Sequence, residues 1–269
     1  MRMAIFAKKL HEKHKNYYLV LPPWPHLYHW QSQDISEQDR LPWSLFFNIQ
    51  SLSSFAPVFE MSEFLQTGQT VIDKVYVLQH FEDTFTTGNF EDRLKIEPCQ
   101  NRFLYKKDEK KNIFKGYFWG YSNITAKEAQ CLSFHGHASQ LIDFVVENKA
   151  KMIMFDHAEV VLHDRFGDKM YWDARKSMVF SDHLLEEAAK YRKNKFNSSE
   201  ETDQTFPSKE RNAIGGNYLC VHLRRKDFAR GRSKEVPSIK GAAEQIKKAL
   251  RDSNLDKVFI ATDAPAPGV

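Results

Sequence analysis

The string Val221-His222-Leu223-Arg224-Arg225-Lys226-Asp227-Phe228 follows the apolar Tyr218-Leu219-Cys220, so a His and an Arg fall where a β-strand opens into a loop. An arginine fork can bind two phosphate oxygens at once, while an imidazole and nearby backbone N–H groups donate to others. Such a set can meet the negative charge that grows on a departing diphosphate, a task that other enzymes give to a divalent metal. No Asp-x-Asp pair of the kind that holds such a metal occurs in the chain. Metal-free diphosphate binding is therefore the sharper reading. Standing alone, Arg224, Arg225 and Lys226 also fit a solvated basic loop, so the elements around them must decide.

Those elements form a compact βαβ pattern. Residues 218–223 read as a strand, Ile239, Ala242, Ala243, Ile246 and Leu250 mark the apolar face of a helix over 238–251 opened by Pro237, and 257–261 reads as a second strand. A right-handed crossover between parallel strands places Thr262 and Asp263 on the same rim as His222 and Arg224. Further forward, Met3, Phe6, Ala7 and Leu10 predict a helix over 3–14, and 17–21 a short strand stopped by Pro22-Pro23. Strands are expected at 56–59, 73–79 and 150–155, with a helix at 60–66. Residues 31–47 read as loop and short helix and 82–112 as irregular and charged. A helix over 173–192 is expected to carry Met178, Leu185 and Ala189 on one face. The polar stretch 194–211 is the expected boundary between a first domain, 1–211, and a second, 212–269. The second holds too few strands for a domain and ends in a Pro-rich tail, and the first begins on a helix with no strand before it. A chain shortened at both ends is the expectation.

The 39 Lys and Arg nearly balance 35 Asp and Glu, which leaves a net +4 and argues against nucleic acid as a partner. Phe, Trp and Tyr make up 13% of the chain, and two clusters, 24–30 and 114–121, mix rings with polar groups. They suit either a groove for sugar or protein or ordinary core packing. Cys99 and Cys131 flank an aromatic segment while Cys220 sits in an expected buried strand, so the simplest pairing is a Cys99–Cys131 disulfide with Cys220 free. Asn123-Ile124-Thr125 and Asn197-Ser198-Ser199 are N-glycosylation patterns, with Asn123 and Asn197 as acceptors. Both features lean toward an oxidising secretory compartment. The amino terminus, however, is too short in apolar residues for a signal peptide, and no stretch reads as a membrane span.

Other constellations are weaker. His11-Glu12-Lys13-His14 lacks the zinc-protease frame. Asp156, Glu159 and His163 recur at near-helical spacing with Asp164 following, which could place a metal there but fits a capped helix better. Gly-x-Ser-x-Gly, Walker and Gly-x-Gly-x-x-Gly motifs are absent.

Six motifs in order, Leu21-Pro22-Pro23-Trp24, Leu27-Tyr28-His29-Trp30-Gln31-Ser32, Gly116-Tyr117-Phe118-Trp119-Gly120-Tyr121, Tyr171-Trp172-Asp173, His222 to Phe228 and Val258-Phe259-Ile260-Ala261-Thr262-Asp263-Ala264, resemble the GDP-fucose protein O-fucosyltransferases. Among these the likeness is to the type that modifies thrombospondin type 1 repeats. The resemblance implies an α/β, GT-B-like fold of two Rossmann-like domains, the second incomplete here, with GDP-fucose in the cleft. It implies inverting transfer of fucose to Ser or Thr of a folded thrombospondin type 1 repeat, in the endoplasmic reticulum lumen, without metal or cofactor. His222, Leu223 and Arg224 match the donor-holding segment, with Arg224 on the diphosphate, and Cys99 and Cys131 match a bridged pair. The family's catalytic Glu is expected ahead of Met1, so no residue here takes its role, and further donor contacts are expected beyond the Pro-rich tail. The other class left open is a non-catalytic product that binds acceptor repeats as decoy or chaperone.

Overall fold

The computed structural model describes residues 1–25, 38–101, 103–162, 167–203 and 216–264. Contacts divide the chain into two units, Met1–Asp182 and His183–Val269.

The first unit opens with α1 (Arg2–Lys13), whose Phe6 and Leu10 lie one turn apart and are buried together. β1 (Leu19–Leu21) ends at Pro22-Pro23, which lack the N–H a ladder needs. Asn48 caps α2 (Ile49–Phe55) by accepting the Ser51 N–H at 2.9 Å. β2 (Val58–Glu60) pairs in parallel with β1, and a Glu60–Glu63 capping box starts α3 (Met61–Gln66). There follow β3 (Val71–Gln79), α4 (Asp83–Thr86), β4 (Arg93–Ile96), β5 (Lys106–Asp108), β6 (Ile113–Lys115), β7 (Thr125–His135), α5 (Leu141–Glu147), β8 (Ile153–Asp156), α6 (Ala158–Val161) and α7 (Lys169–Ser177). The main sheet runs β5-β6-β7-β3-β8, with β4 antiparallel to β7.

β3 is parallel to both β7 and β8, so the carboxyl ends of these strands share one rim, where His80 follows β3, His135 ends β7 and Asp156 ends β8. Strand alternation gives the sheet two apolar faces. Tyr76 and Leu78 pack with Leu132, Phe134, Leu141 and Phe6 on one, and Val75 and Val77 with the cluster of Tyr105 and Phe118 on the other. Burial of each large side chain contributes about 1.5–3 kcal/mol.

Asp73 ties the amino end of β3 to its neighbours. Its carboxylate accepts Lys127 Nζ at 2.6 Å and the backbone N–H groups of Met152 and Lys151 at 3.0 Å. The Lys127 hydrogen bond, partly opposed by burial and reinforced by the two amides, holds its carboxyl below the usual carboxylate value. Stability from a depressed carboxyl is full above the unfolded value of 3.8 and is lost as pH falls through the folded one. The urea midpoint of Asp73→Asn is therefore expected to fall less than that of the parent protein between neutral pH and pH ~3, as read from equilibrium unfolding.

Several elements differ from the sequence reading. Residues 82–112, expected to be irregular, hold α4, β4 and β5. The expected helix over 173–192 is two helices. Between α7 and the next helix, Val179 O accepts the Asn48 N–H at 2.9 Å, and the Ser181 N–H donates to Phe46 O at 3.0 Å. Backbone bonds to a distant segment thus replace a helical turn, while Leu185 and Ala189 are exposed. The polar cluster around Asp156 is not one helix face, because Asp156 ends a strand; Glu159 lies in α6, and His163 and Asp164 lie outside the described residues.

The second unit comprises α8 (Asp182–Phe196), α9 (Glu200–Asp203), β9 (Leu219–Leu223), α10 (Lys226–Gly231), α11 (Ile239–Asp252) and β10 (Val258–Thr262). β9 and β10 pair in parallel, as the βαβ pattern requires. α8 falls with this unit, earlier in the chain than the expected boundary at 194–211, of which 204–211 lies outside the described residues. The reason is aromatic: Phe196 stacks on Tyr218 at 4.5 Å, and Tyr191 meets the Phe259 ring edge-on at 5.7 Å. Near the end of α8, Arg192 pairs with the buried Asp203 at 2.9 Å. The Ser198 hydroxyl and then Arg192 hold the Asp203 carboxyl below its usual range.

Candidate functional site

Strand alternation leaves Cys220 and His222 exposed on β9, with Leu219, Val221 and Leu223 half-buried. Cys220 is thus a free, exposed thiol rather than the buried residue expected, because this face of the β9–β10 pair is open among the described residues, with its register partner Phe259 exposed beside it. Ile239 and Ala243, read as part of the apolar face of α11, are exposed too, and Ala242 is its buried residue. Ser238, not Pro237, caps α11, accepting the Gly241 N–H at 3.0 Å.

The carboxyl ends of β9 and β10 meet as expected. Thr262 Oγ1 donates to Leu223 O at 2.7 Å, which ties the two strand ends together. Asp263 Oδ1 accepts the Arg225 N–H at 2.5 Å, and the Arg225 guanidinium donates to Pro237 O. Arg225 is therefore a strut from the rim to the start of α11. Arg224, one residue earlier, is exposed, with its guanidinium 4.8 Å from the Phe228 ring centre; Arg232 lies 5.4 Å from the same ring. Phe228 thus holds a planar cation at the strand end. That Arg225 braces the rim could not be read from the sequence, because its partners Asp263 and Pro237 lie 38 and 12 residues away. His222 lies two residues before Arg224 on the same strand end, paired in register with Ala261. The rim joins one exposed arginine, one exposed imidazole and a braced turn, a set suited to a polyanion.

In the first unit, Cys99 and Cys131 form a disulfide, as expected. Asn123 and Asn197 are both exposed, Asn197 in the left-handed region at φ 52 just after α8. The sequence motif at 27–32 lies outside the described residues. Among the described residues, no group of three His, Cys, Asp or Glu could hold a metal, and no helix is long and apolar enough to cross a membrane.

A family model described as GDP-fucose protein O-fucosyltransferase matches residues 1–268. The chain belongs to this family. Among the family's characterised members it is 42% identical over 275 residues to human GDP-fucose protein O-fucosyltransferase 2, covering 98% of this chain and 63% of that protein. It is 34% identical over 278 residues to the Caenorhabditis elegans protein of the same name, covering 98% of this chain and 64% of that one. The chain therefore spans somewhat less than two thirds of these relatives' length. A crystal structure of POFUT1 in complex with GDP superposes with a TM-score of 0.56 at 15% identity, covering 98% of this chain and 74% of that one. The fold of this chain is accordingly α/β and GT-B-like.

Proposed function

We propose that this chain belongs to a peptide-O-fucosyltransferase that moves fucose from GDP-fucose to Ser or Thr of a folded thrombospondin type 1 repeat. The observation that carries the reading is the β9–β10 rim, where Arg224 and His222 stand together at parallel strand ends in a chain of this family. Arg224 forks the diphosphate oxygens and His222 donates to another, so the charge on GDP is met as it leaves without need of a metal or cofactor. The acceptor hydroxyl gives its proton to a general base, which is not assigned to any residue of this chain. Its oxygen attacks the fucose anomeric carbon from the face opposite GDP, the bond from that carbon to the phosphate oxygen breaks, and GDP keeps the electron pair. Inversion follows from attack on the opposite face.

In this reading the second unit holds the nucleotide and the first meets the acceptor. The Cys99–Cys131 bridge and the exposed Asn123 and Asn197 support residence in the endoplasmic reticulum lumen, with glycans on both asparagines. Incubation of the purified protein with radiolabelled GDP-fucose and a folded recombinant thrombospondin type 1 repeat tests it. Binding of GDP is expected of this chain, and label on the folded repeat, absent from the reduced and alkylated one and undiminished by EDTA, is expected of a protein that also carries the general base. Absence of both transfer and GDP binding by calorimetry would sink the proposal, and transfer abolished by EDTA would sink its metal-free mechanism.

A further inference from the structure

A second concavity lies wholly in the first unit, at the carboxyl end of β8, and the transfer reaction as set out above does not use it. It is a cavity of about 500 Å³ whose walls include Trp24, Trp43, Tyr105, Tyr117 and Trp119, with Asp156 among them. That volume lies within the range of small-ligand sites. The rings are held in place: Trp43 Nε1 donates to Pro22 O at 2.7 Å, Trp24 lies 4.8 Å from Trp43, and Tyr105 packs on the buried Phe118 at 5.4 Å.

Asp156 is equally fixed. One oxygen accepts the Tyr105 hydroxyl at 2.8 Å; the other accepts the His157 backbone N–H at 2.9 Å and lies 3.1 Å from His157 Nδ1. Burial, and then the Asp156 charge, push the Tyr105 phenol up, so it stays a donor to the carboxylate. Two bulky residues on the lining, Trp119 at φ 52 and His157 at φ 58, sit in the left-handed region that such residues avoid. Strain of this kind persists where surrounding structure enforces it and gathers at binding sites.

We propose that this cavity binds a single cationic side chain, arginine or lysine, presented by a polypeptide partner. Aromatic faces attract a cation, and one oriented carboxylate supplies the counter-charge. A phosphate is disfavoured, because Asp156 repels it and neither Lys nor Arg is among the described residues that line the cavity. A sugar is poorly served by the described lining, which holds no Asn, Gln, Ser or Thr and in which the Trp43 N–H is already spent. Lys106, Lys107 and Lys115 line an adjoining hollow. They disfavour a polybasic tail and restrict the occupant to one inserted side chain. The residues that line the cavity belong to the first unit and those of the proposed donor site to the second.

The test is a titration of the purified protein with N-acetyl-arginine methylamide, followed by tryptophan fluorescence and checked by calorimetry. Saturable binding is expected, weaker by about tenfold or more for the uncharged citrulline analogue and for the Asp156→Asn and Tyr117→Ala proteins. GDP binding is expected to be unchanged in both variants, and circular dichroism confirms that they fold. Equal binding of the citrulline analogue, binding of methyl fucoside or inorganic phosphate instead, or no saturation by the arginine probe would each overturn the proposal. Loss of GDP binding alone would count against the donor-site reading and not against this one.

Discussion

Arg224→Ala is expected to lower kcat/KM for fucose transfer by about 10²–10³-fold and to weaken GDP binding, because it removes charge-assisted hydrogen bonds aimed at the leaving diphosphate. Arg224→Lys should recover only part of the loss, since an ammonium keeps the charge but not the planar fork. The adjacent Arg225→Ala provides the contrast. Arg225 is spent on Asp263 and Pro237, so its removal should loosen the rim and lower unfolding stability more than it alters donor affinity at a temperature where the protein stays folded. Calorimetric titration with GDP, alongside transfer kinetics and thermal melts, separates the two. An Arg224→Ala protein that binds GDP as the parent does would remove the residue from the donor site.

Loss of the Cys99–Cys131 bridge is expected to be the most damaging change to the first unit. The cysteines are separated by 32 residues in sequence, and freeing a loop of that size restores unfolded-state entropy worth about 3–4 kcal/mol. For a unit of this size that is a fall in melting temperature of roughly 10 °C. The enclosed segment contains β5 and β6 and three rings of the aromatic cavity, Tyr105, Tyr117 and Trp119. The Cys99→Ala/Cys131→Ala protein should therefore lose the arginine-dependent fluorescence change as well as stability, while GDP binding in the second unit persists. A melting temperature unchanged within a degree or two would show that sheet pairing alone holds the segment.

The contrast between β9 and β7 shows why some of this was readable in advance. β9, α11 and β10 sit close together in sequence, and the apolar runs of the strands with Pro237 and helical spacing between them specify a crossover locally. α1 is legible for the same reason. β7 is the strand on which β3, β4 and β6 all pair, yet it escapes notice. Its first half carries the exposed Lys127 and Glu128, and its buried half is Cys131-Leu132-Ser133-Phe134-His135, so neither an alternating nor an apolar pattern marks it. A strand stabilised by partners on both sides needs less help from its own residues.

The same division holds for function. Composition, cysteine spacing and the His222–Arg224 string were sufficient to point to a disulfide-bonded α/β protein with an anion-binding strand end, because charge type and local pattern are properties of neighbouring residues. The bracing of Arg225 against Asp263 and Pro237, the break between α7 and α8, and the placing of Asp156 against Tyr105 and His157 were decided only by the tertiary structure. Each depends on a contact between residues far apart in the chain, Arg225 with Asp263, Ser181 with Phe46, Tyr105 with Asp156. No local pattern encodes such a contact, since its energy appears only when the chain closes the loop between them.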